Sequence, residues 1–246
     1  MATYACADLH GRLDLYEKIK EYIKLEDTVY FLGDAIDRGP HGVEIMLDIL
    51  KQKKWIYLKG NHEDMMYGAL AKEYDLKEPE RDFFDRLENP KYLWYNNGGK
   101  ITEISLKEKF NNGKIKDLLM KIDSLPLEWT YKNTKGQTIH LSHAGWTPSL
   151  PILKDLLWSR DRFLDEQNTA VGWDDDNYYV VHGHTPTQSL SDYSFGHIIG
   201  IAGEIKKYGH KIDIDCGAIF NDKVALLDLD TLEPIYFYHK MEEKNG

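Results

Sequence analysis

The stretch TVYFLGDAIDRGP, residues 28–40, contains the transition that organises the chain. Its first five residues are β-branched, aromatic or aliphatic, which predicts a buried strand, and Gly33 ends that run. Charged residues follow at once, and a helical pattern begins after Pro40. A buried strand that passes directly into a polar turn and then a helix is typical of a parallel α/β sheet.

The same order of strand, glycine and helix occurs on both sides of this stretch. Residues 3–7 predict a strand that precedes a helix with Leu15 and Ile19 on one face, and residues 55–58 predict a third strand before Gly60. Short connections between these elements predict right-handed βαβ units whose strands end at one edge of the sheet. Further strands are predicted at residues 127–131, 137–141, 178–181, 212–214, 224–228 and 235–238.

Residues 64–126 interrupt this alternation. They are rich in lysine, glutamate, aspartate, tyrosine and leucine at helical spacing, with breaks at two prolines and at residues 96–99. The apolar positions are too sparse for an independent core, and Trp94 and Tyr95 are interpreted as packing residues. We therefore predict one α/β domain over residues 1–246 with a mainly helical insertion.

The overall composition excludes several classes of protein. The chain of 246 residues carries 31 Lys and Arg against 41 Asp and Glu, a net charge of −10, which disfavours stable binding to nucleic acid. No apolar run approaches the ~20 residues of a membrane span, and Asp8 comes too early for a signal peptide. Cys6 and Cys216 stand alone, as in reduced proteins, so we expect a cytoplasmic location.

Metal-binding side chains follow five of the predicted strands. They occur in the segments DLHG, GDAIDRG, GNHE, SHAG and GHTP, which begin at residues 8, 33, 60, 142 and 183. A mixed set of oxygen and imidazole donors without thiolates suits manganese, iron or zinc. The set is larger than one ion needs, which predicts two ions about 3.5–4 Å apart that activate a bridging water and neutralise a phosphoryl group. Arg38 then has the shape and charge to hold that phosphate.

These segments, in this order, resemble the metallophosphatase superfamily over about residues 1–220. Within it they look most like the protein serine/threonine phosphatase branch, especially its compact bacterial and phage members of the lambda phosphatase type. The resemblance implies an α/β/β/α sandwich with a dimetal site at the carboxyl edge of the strands. It also implies two divalent metal ions, with manganese expected and iron or zinc as alternatives.

The resemblance also implies a role for each donor. Asp8 and His10 would hold the first metal ion, and Asp34 would bridge the two. The second ion would be completed by three side chains from later segments, Asn61, His143 and His184.

The resemblance further implies that four more residues of this chain, together with Asn61, act on the substrate. His62 matches the general acid that protonates the leaving oxygen, and Asp37 matches the carboxylate that orients it. Arg38 and Arg160 match phosphate-binding arginines, with Asn61 beside them.

Three further positions bear on the comparison with the family pattern. Arg162 lies two residues beyond Arg160 and is an alternative for the second phosphate contact. Pro186 stands where many relatives outside the protein phosphatase branch have a histidine, which agrees with that branch. His182 has no family role and is interpreted as a residue at a strand end or behind the metal ligands.

The predicted function is a metal-dependent phosphomonoesterase, specifically a protein serine/threonine phosphatase. Its bridging hydroxide would attack a phosphoprotein or a small phosphoester directly and in line. The alternative is a diadenosine tetraphosphate hydrolase on the same site. That branch commonly has alanine at the position of Asp37 and aspartate at that of Glu63, which argues against it. A non-catalytic binding module is a third possibility, disfavoured because every donor is retained.

Overall fold

Two sheets of five strands each form the centre of the described molecule. The computed structural model describes residues 1–79, 89–146, 153–160, 177–194 and 196–239. The strands within these residues are β1 Thr3–Cys6, β2 Thr28–Phe31, β3 Trp55–Tyr57, β4 Glu128–Lys132, β5 Thr138–Ser142, β6 Tyr178–His182, β7 Lys206–Tyr208, β8 Lys211–Asp213, β9 Lys223–Asp228 and β10 Pro234–Tyr238.

The helices of the described residues flank and connect these strands. They are α1 Leu13–Tyr22, α2 Gly42–Ile49, α3 Asn61–Leu70, α4 Pro90–Asn96, α5 Lys100–Lys109, α6 Asn112–Asp123, α7 Leu153–Trp158, α8 Leu190–Tyr193 and α9 Ala218–Asn221, with a 3₁₀ turn at Thr187–Ser189. None of them is long and apolar enough to cross a membrane.

The first sheet has the strand order β10-β9-β1-β2-β3. The predicted βαβ units form its parallel part, because β1 pairs with β2 and β2 with β3 in parallel. Strands β9 and β10 extend it in antiparallel fashion. The carboxyl ends of β1, β2 and β3 therefore meet at one edge, as the sequence predicted.

The second sheet has the order β4-β5-β6-β8-β7. Its central strands β5, β6 and β8 are parallel, and antiparallel strands close both edges. The edge strand β7 is not among the strands predicted from the sequence. Its three residues, Lys-Lys-Tyr, lack the apolar alternation by which a strand is recognised, and such short, charged strands are typical of sheet edges.

Alternate residues of β1 explain how the layers pack. Tyr4 and Cys6 face the helices in one apolar core, whereas Ala5, and Ala7 just after the strand, face the second sheet in another. This alternation of neighbouring side chains follows from the pleat of a strand. The α/β sandwich expected from the resemblance is confirmed.

The helical insertion packs on the helix side of the first sheet. Trp94, Leu106, Leu119 and Ile122 from α4, α5 and α6 lie in the same core as the β1 residues Tyr4 and Cys6. Helix α3 begins at Asn61, three residues before the insertion predicted at residue 64. The buried apolar residues of the insertion's described part lie in the core of the first sheet, and the single domain over residues 1–246 stays a prediction.

Candidate active site

The predicted metal ligands lie where strands of both sheets end. Asp8 follows β1, Asp34 follows β2, Asn61 opens the helix after β3, His143 follows β5, and His184 follows β6. Asp8, Asp34 and His184 have left-handed backbones, with φ of 54°, 57° and 70°. Such angles cost non-glycine residues roughly 1–3 kcal/mol each, and they cluster at functional sites.

Two groups of side chains in the described residues could each hold a metal ion. One consists of His10, Asp34 and His62, and the other of Asp34, His143 and His184. Within each group the potential ligand atoms lie within 4.8 Å of one another, and every member is buried. Asp34 belongs to both groups, and the family resemblance implies a bridging role for the same residue.

Backbone carbonyls orient two of the imidazoles. His10 donates Nδ1–H to the oxygen of Ile36 at 3.0 Å, and His143 donates Nδ1–H to that of Leu32 at 2.7 Å. In the neutral rings, Nε2 therefore carries a lone pair and faces the cluster. A carbonyl partner on one ring nitrogen is typical of histidines that bind metal through the other.

Potential metal ligands converge around Asn61. Its Oδ1 lies 2.8 Å from Nε2 of His143 and 3.0 Å from Nδ1 of His184. Oδ1 of Asp34 lies 3.5 Å from the same His143 nitrogen. Because lone pairs that face one another repel, a cation among them would be stabilising. These oxygen and nitrogen ligands therefore suit a divalent metal ion.

Burial sets the protonation of these groups. It raises the pKa of Asp34 well above its ordinary range, and Glu63 adds to this. It lowers the pKa of His143 to about 3 and those of His10 and His184 well below the ordinary value. Neutral imidazoles are the form that binds metal, and buried carboxylates need a nearby positive charge to ionise.

Asp8 lies beside these groups but, among the described residues, belongs to neither. Its Oδ2 accepts the backbone N–H of His184 at 3.0 Å. Burial, together with Asp215, Asp34 and Asp213, raises its pKa well above the ordinary range. The structure thus brings His10 next to Asp34 and His62. It brings Asp8 next to two further acids, Asp213 and Asp215.

The sequence reasoning missed those two acids. Asp213 ends β8 and Asp215 follows it, both with at most 2% exposure. Oδ1 of Asp213 accepts the N–H of Asp215 at 3.0 Å, while its Oδ2 has no hydrogen-bond partner among the described residues. The run IDIDCG at residues 212–217 is an apolar strand interrupted by carboxylates, a signal that could have identified them.

His62 and Asp37 form a buried pair next to the first group. His62 donates Nδ1–H to Oδ2 of Asp37 at 2.7 Å. Two residues of the insertion also donate to this carboxylate, Trp94 through Nε1 at 2.8 Å and Thr102 through Oγ1 at 2.6 Å. Burial raises the pKa of Asp37 to about 7, and the bonds from Thr102 and Trp94 oppose that rise. Trp94, predicted to be a packing residue, is thus also a hydrogen-bond donor.

Arg38 lies among the imidazoles. It donates from Nη1 to Nε2 of His10 at 3.0 Å and from Nη2 to Nε2 of His62 at 3.2 Å. Burial, followed by Arg38 and Arg160, lowers the pKa of His62 well below its ordinary value.

Arg160 reaches the site from the segment that follows α7. Its Nη1 donates to the oxygen of His184 at 3.3 Å and to Oγ1 of Thr185 at 3.2 Å, and its guanidinium lies over the ring of Tyr193. The alternative residue, Arg162, lies outside the described residues. Both predicted arginines that the structure describes therefore adjoin the candidate ligands.

Glu63 joins the loops after β2 and β3. Its buried carboxylate accepts the N–H groups of Asp34, Ala35 and Gly60 at 2.8, 3.2 and 3.0 Å, and the hydroxyl of Tyr57 at 2.6 Å. The sequence reasoning used Glu63 only to tell two branches apart. A glutamate at the third position of a helix, as in a capping box, could have indicated this role.

The chain is similar in sequence to known phosphoesterases. A family model described as calcineurin-like phosphoesterase matches residues 1–197. The chain is 24% identical to "Serine/threonine-protein phosphatase 1" of Salmonella typhimurium, over 91% of this chain and 90% of that protein. It is 20% identical to "Bis(5'-nucleosyl)-tetraphosphatase, symmetrical" of Pseudomonas syringae pv. tomato, over 95% of this chain and 88% of that protein.

Solved structures share the fold at low sequence identity. A putative diadenosine tetraphosphatase matches with a TM-score of 0.57 and 14% identity, covering 99% of this chain and 94% of that one. A protein serine/threonine phosphatase of Saccharomyces cerevisiae matches with a TM-score of 0.55 and 16% identity, covering 100% and 82%. At these identities the likeness shows the fold alone.

Proposed function

This chain belongs to the calcineurin-like phosphoesterase family and is a hydrolase, and we propose that it removes phosphate from phosphorylated serine or threonine. Phosphoproteins and small phosphoesters are the proposed substrates. One observation carries the proposal: the buried pair of His62 and Asp37 lies beside Arg38, with 2.7 Å between Nδ1 and Oδ2.

This pair supports an ester substrate because of the leaving group. A serine or threonine phosphate releases an alkoxide, which is strongly basic and leaves slowly unless it receives a proton. A dinucleoside polyphosphate releases a nucleoside phosphate anion, which is stable without an added proton. A histidine oriented by a buried carboxylate is therefore more useful to a monoesterase.

The cofactor is proposed to be two divalent metal ions, with manganese expected and iron or zinc as alternatives. The proposed ligands are Asp8, His10, Asp34, Asn61, His143 and His184. When bound, such ions acidify a water molecule and neutralise charge on the phosphoryl group. All further chemistry in the proposal belongs to the side chains.

Arg38 and Arg160 would hold the phosphate, with the amide of Asn61 beside them. A substrate phosphate that pairs with Arg38 brings negative charge next to His62, which favours the protonated imidazole. Nδ1–H of His62 stays bonded to Asp37, so Nε2–H is the proton that the leaving oxygen receives. The two arginines also stabilise the charge that the phosphoryl group carries in the transition state.

A first experiment tests the activity itself. The purified protein is assayed on p-nitrophenyl phosphate in the presence of a chelator and again after Mn²⁺ is restored. We expect activity to disappear with the chelator and to return with the metal. A protein that binds metal but hydrolyses no phosphate ester would contradict the proposal.

The second candidate is hydrolysis of dinucleoside polyphosphates. It is supported by the similarity to proteins named bis(5'-nucleosyl)-tetraphosphatase. Values of kcat/KM for a phosphoserine peptide and for diadenosine tetraphosphate, measured side by side, decide between the two. We expect the peptide to be preferred, and a clear preference for the dinucleotide would establish the second candidate.

A further inference from the structure

We propose that Trp94 and Thr102, both in the helical insertion, are positioning residues that hold Asp37 and, through it, His62. The inference rests on the proposed function, in which His62 donates a proton. Neither residue would touch the substrate; each acts on the carboxylate behind the imidazole. The insertion would then be part of the catalytic apparatus.

Both oxygens of the Asp37 carboxylate accept hydrogen bonds. Oδ1 accepts the hydroxyl of Thr102 at 2.6 Å, and Oδ2 accepts Nε1–H of Trp94 at 2.8 Å together with Nδ1–H of His62 at 2.7 Å. Asp37 and Trp94 have no exposed surface, and Thr102 has 2%. With a donor on each oxygen, rotation of the carboxylate away from His62 would break at least one buried hydrogen bond.

The insertion also holds the backbone of the loop that carries Asp37. Asp37 and Arg38 are consecutive left-handed residues, with φ of 68° and 65°. Oγ1 of Thr102 accepts the N–H of Asp37 at 3.0 Å, and the oxygen of Gly98 accepts that of Arg38 at 3.3 Å. Such a conformation persists only where its surroundings determine it. Here those surroundings come from residues 98–102.

The two glycines in this segment permit the close approach. A Cβ on Gly98, whose φ is 94°, would lie 2.9 Å from the backbone nitrogen of Arg38. A Cβ on Gly99 would lie 2.3 Å from Nε1 of Trp94, the atom that donates to Asp37. The segment Asn97-Gly98-Gly99 therefore lets the insertion touch Arg38 and lets the indole reach Asp37.

Loss of the contacts to Asp37 should impair proton donation by His62 more than substrate binding. A general acid misplaced by a fraction of an ångström loses much of its effect, because proton transfer needs short, aligned contacts. Substrates with basic leaving groups should suffer most, and those with good leaving groups least. This difference separates a positioning role from general damage to the fold.

The test uses Trp94→Phe and Thr102→Val, which remove a donor and keep most of the volume. Matched controls are Trp55→Phe, in the same core, and Ser105→Ala, buried on the same helix as Thr102. For phenyl phosphate we expect kcat to fall ~10-fold in each test variant, with KM unchanged. For p-nitrophenyl phosphate the loss should be about threefold or less, and both controls should behave as wild type.

A double-mutant cycle with Asp37→Asn locates the effect. If Trp94 and Thr102 act through the carboxylate, neither substitution lowers kcat much further once Asp37 has been replaced. Equal losses on the two esters, or the same loss in the Asp37→Asn background, would overturn the inference.

A readout independent of turnover is the NMR signal of the proton shared by His62 and Asp37, assigned by its absence in His62→Asn. We expect this resonance to shift in Trp94→Phe and Thr102→Val and to stay in place in both controls. An unchanged resonance in the test variants would refute the positioning role. If the resonance shifts but wild type hydrolyses neither ester, the proposed function fails while the positioning role stands.

Discussion

The two halves of the candidate site are built differently. In the half formed by the first sheet and the insertion, donors meet acceptors: the Asp37 carboxylate receives Trp94, Thr102 and His62. In the half that joins the second sheet, acceptors face acceptors, with Nε2 of His143 lying 2.8 Å from Oδ1 of Asn61. The hydrogen bonds of the His62–Asp37 pair are complete within the protein, whereas a cation would stabilise the facing acceptors around Asn61.

This difference indicates that one half is suited to proton transfer and the other to metal binding. Residues that handle a proton must be held by the protein in every state, so their partners are side chains of the same chain. The proposed metal ligands His143 and His10 direct Nε2 towards the site, because the carbonyls of Leu32 and Ile36 accept their Nδ1–H groups. The following experiments test that division, beginning with the residue common to both metal groups.

Asp34→Asn should have the largest effect, because Asp34 belongs to both potential metal groups. We expect bound metal to fall strongly and kcat/KM for p-nitrophenyl phosphate to fall by ~10³-fold or more. Elemental analysis and steady-state kinetics measure the two quantities. Asp117→Asn, exposed on α6, is the control and should change neither. Full metal content in Asp34→Asn would show that Asp34 is not a shared ligand.

His62→Asn should affect the proton-handling half alone. We expect kcat to fall by ~10²–10⁴-fold while metal content stays that of wild type, because the substitution removes the proton donor. His62 also lies within the group of His10 and Asp34, so the opposite result is physically possible. Loss of metal in proportion to activity would identify His62 as a ligand and abolish the distinction between the halves.

Metal binding should stabilise the acceptor-rich half. At a free Mn²⁺ concentration about 100 times Kd, the free energy of unfolding should rise by about 2.7 kcal/mol, seen as a higher Tm. The rise should be much smaller in His143→Asn and unchanged in His197→Asn, an exposed position. A rise of the same size in His143→Asn would mean that the stabilising ion binds elsewhere.

The smallest effect concerns the stability of the insertion that supports the proton-handling half. Burial opposes ionisation of Glu103, but hydrogen bonds from Lys107, Lys91 and Tyr95 outweigh it and lower its pKa to about 2 from an ordinary 4.5. Because the folded pKa is the lower one, this stabilisation is present above about pH 4.5 and is lost as the pH falls towards 2.

Glu103→Gln tests this at two pH values. Above pH ~5 we expect it to lower the free energy of unfolding by about 1–2 kcal/mol, and near pH 3 the gap from wild type should narrow. Denaturant titrations at both pH values give the comparison, with Glu108→Gln on the same helix as control. A gap that does not change with pH would contradict the assigned ion pairs.

The sequence alone determined the architecture of the sheet edge. Apolar runs such as residues 28–32 indicate strands locally, and a parallel sheet brings the carboxyl ends of its strands together. Asp34 and Asn61 could therefore be predicted as neighbours, whereas His143 and His184 follow strands of the other sheet and were joined to them only through the family resemblance. The family resemblance and the hydrolase activity, read from the same residues, are confirmed.

Only the tertiary structure decided how those residues pair. Trp94 and Thr102 donate to Asp37 from 57 and 65 residues away, and nothing in their local sequence distinguishes them from packing residues. Asp213 and Asp215 reach Asp8 only because β8 lies beside β6 in the second sheet. Periodicity reports which face of an element is buried, but a hydrogen bond between distant elements depends on how their faces pack, and the local sequence does not encode that.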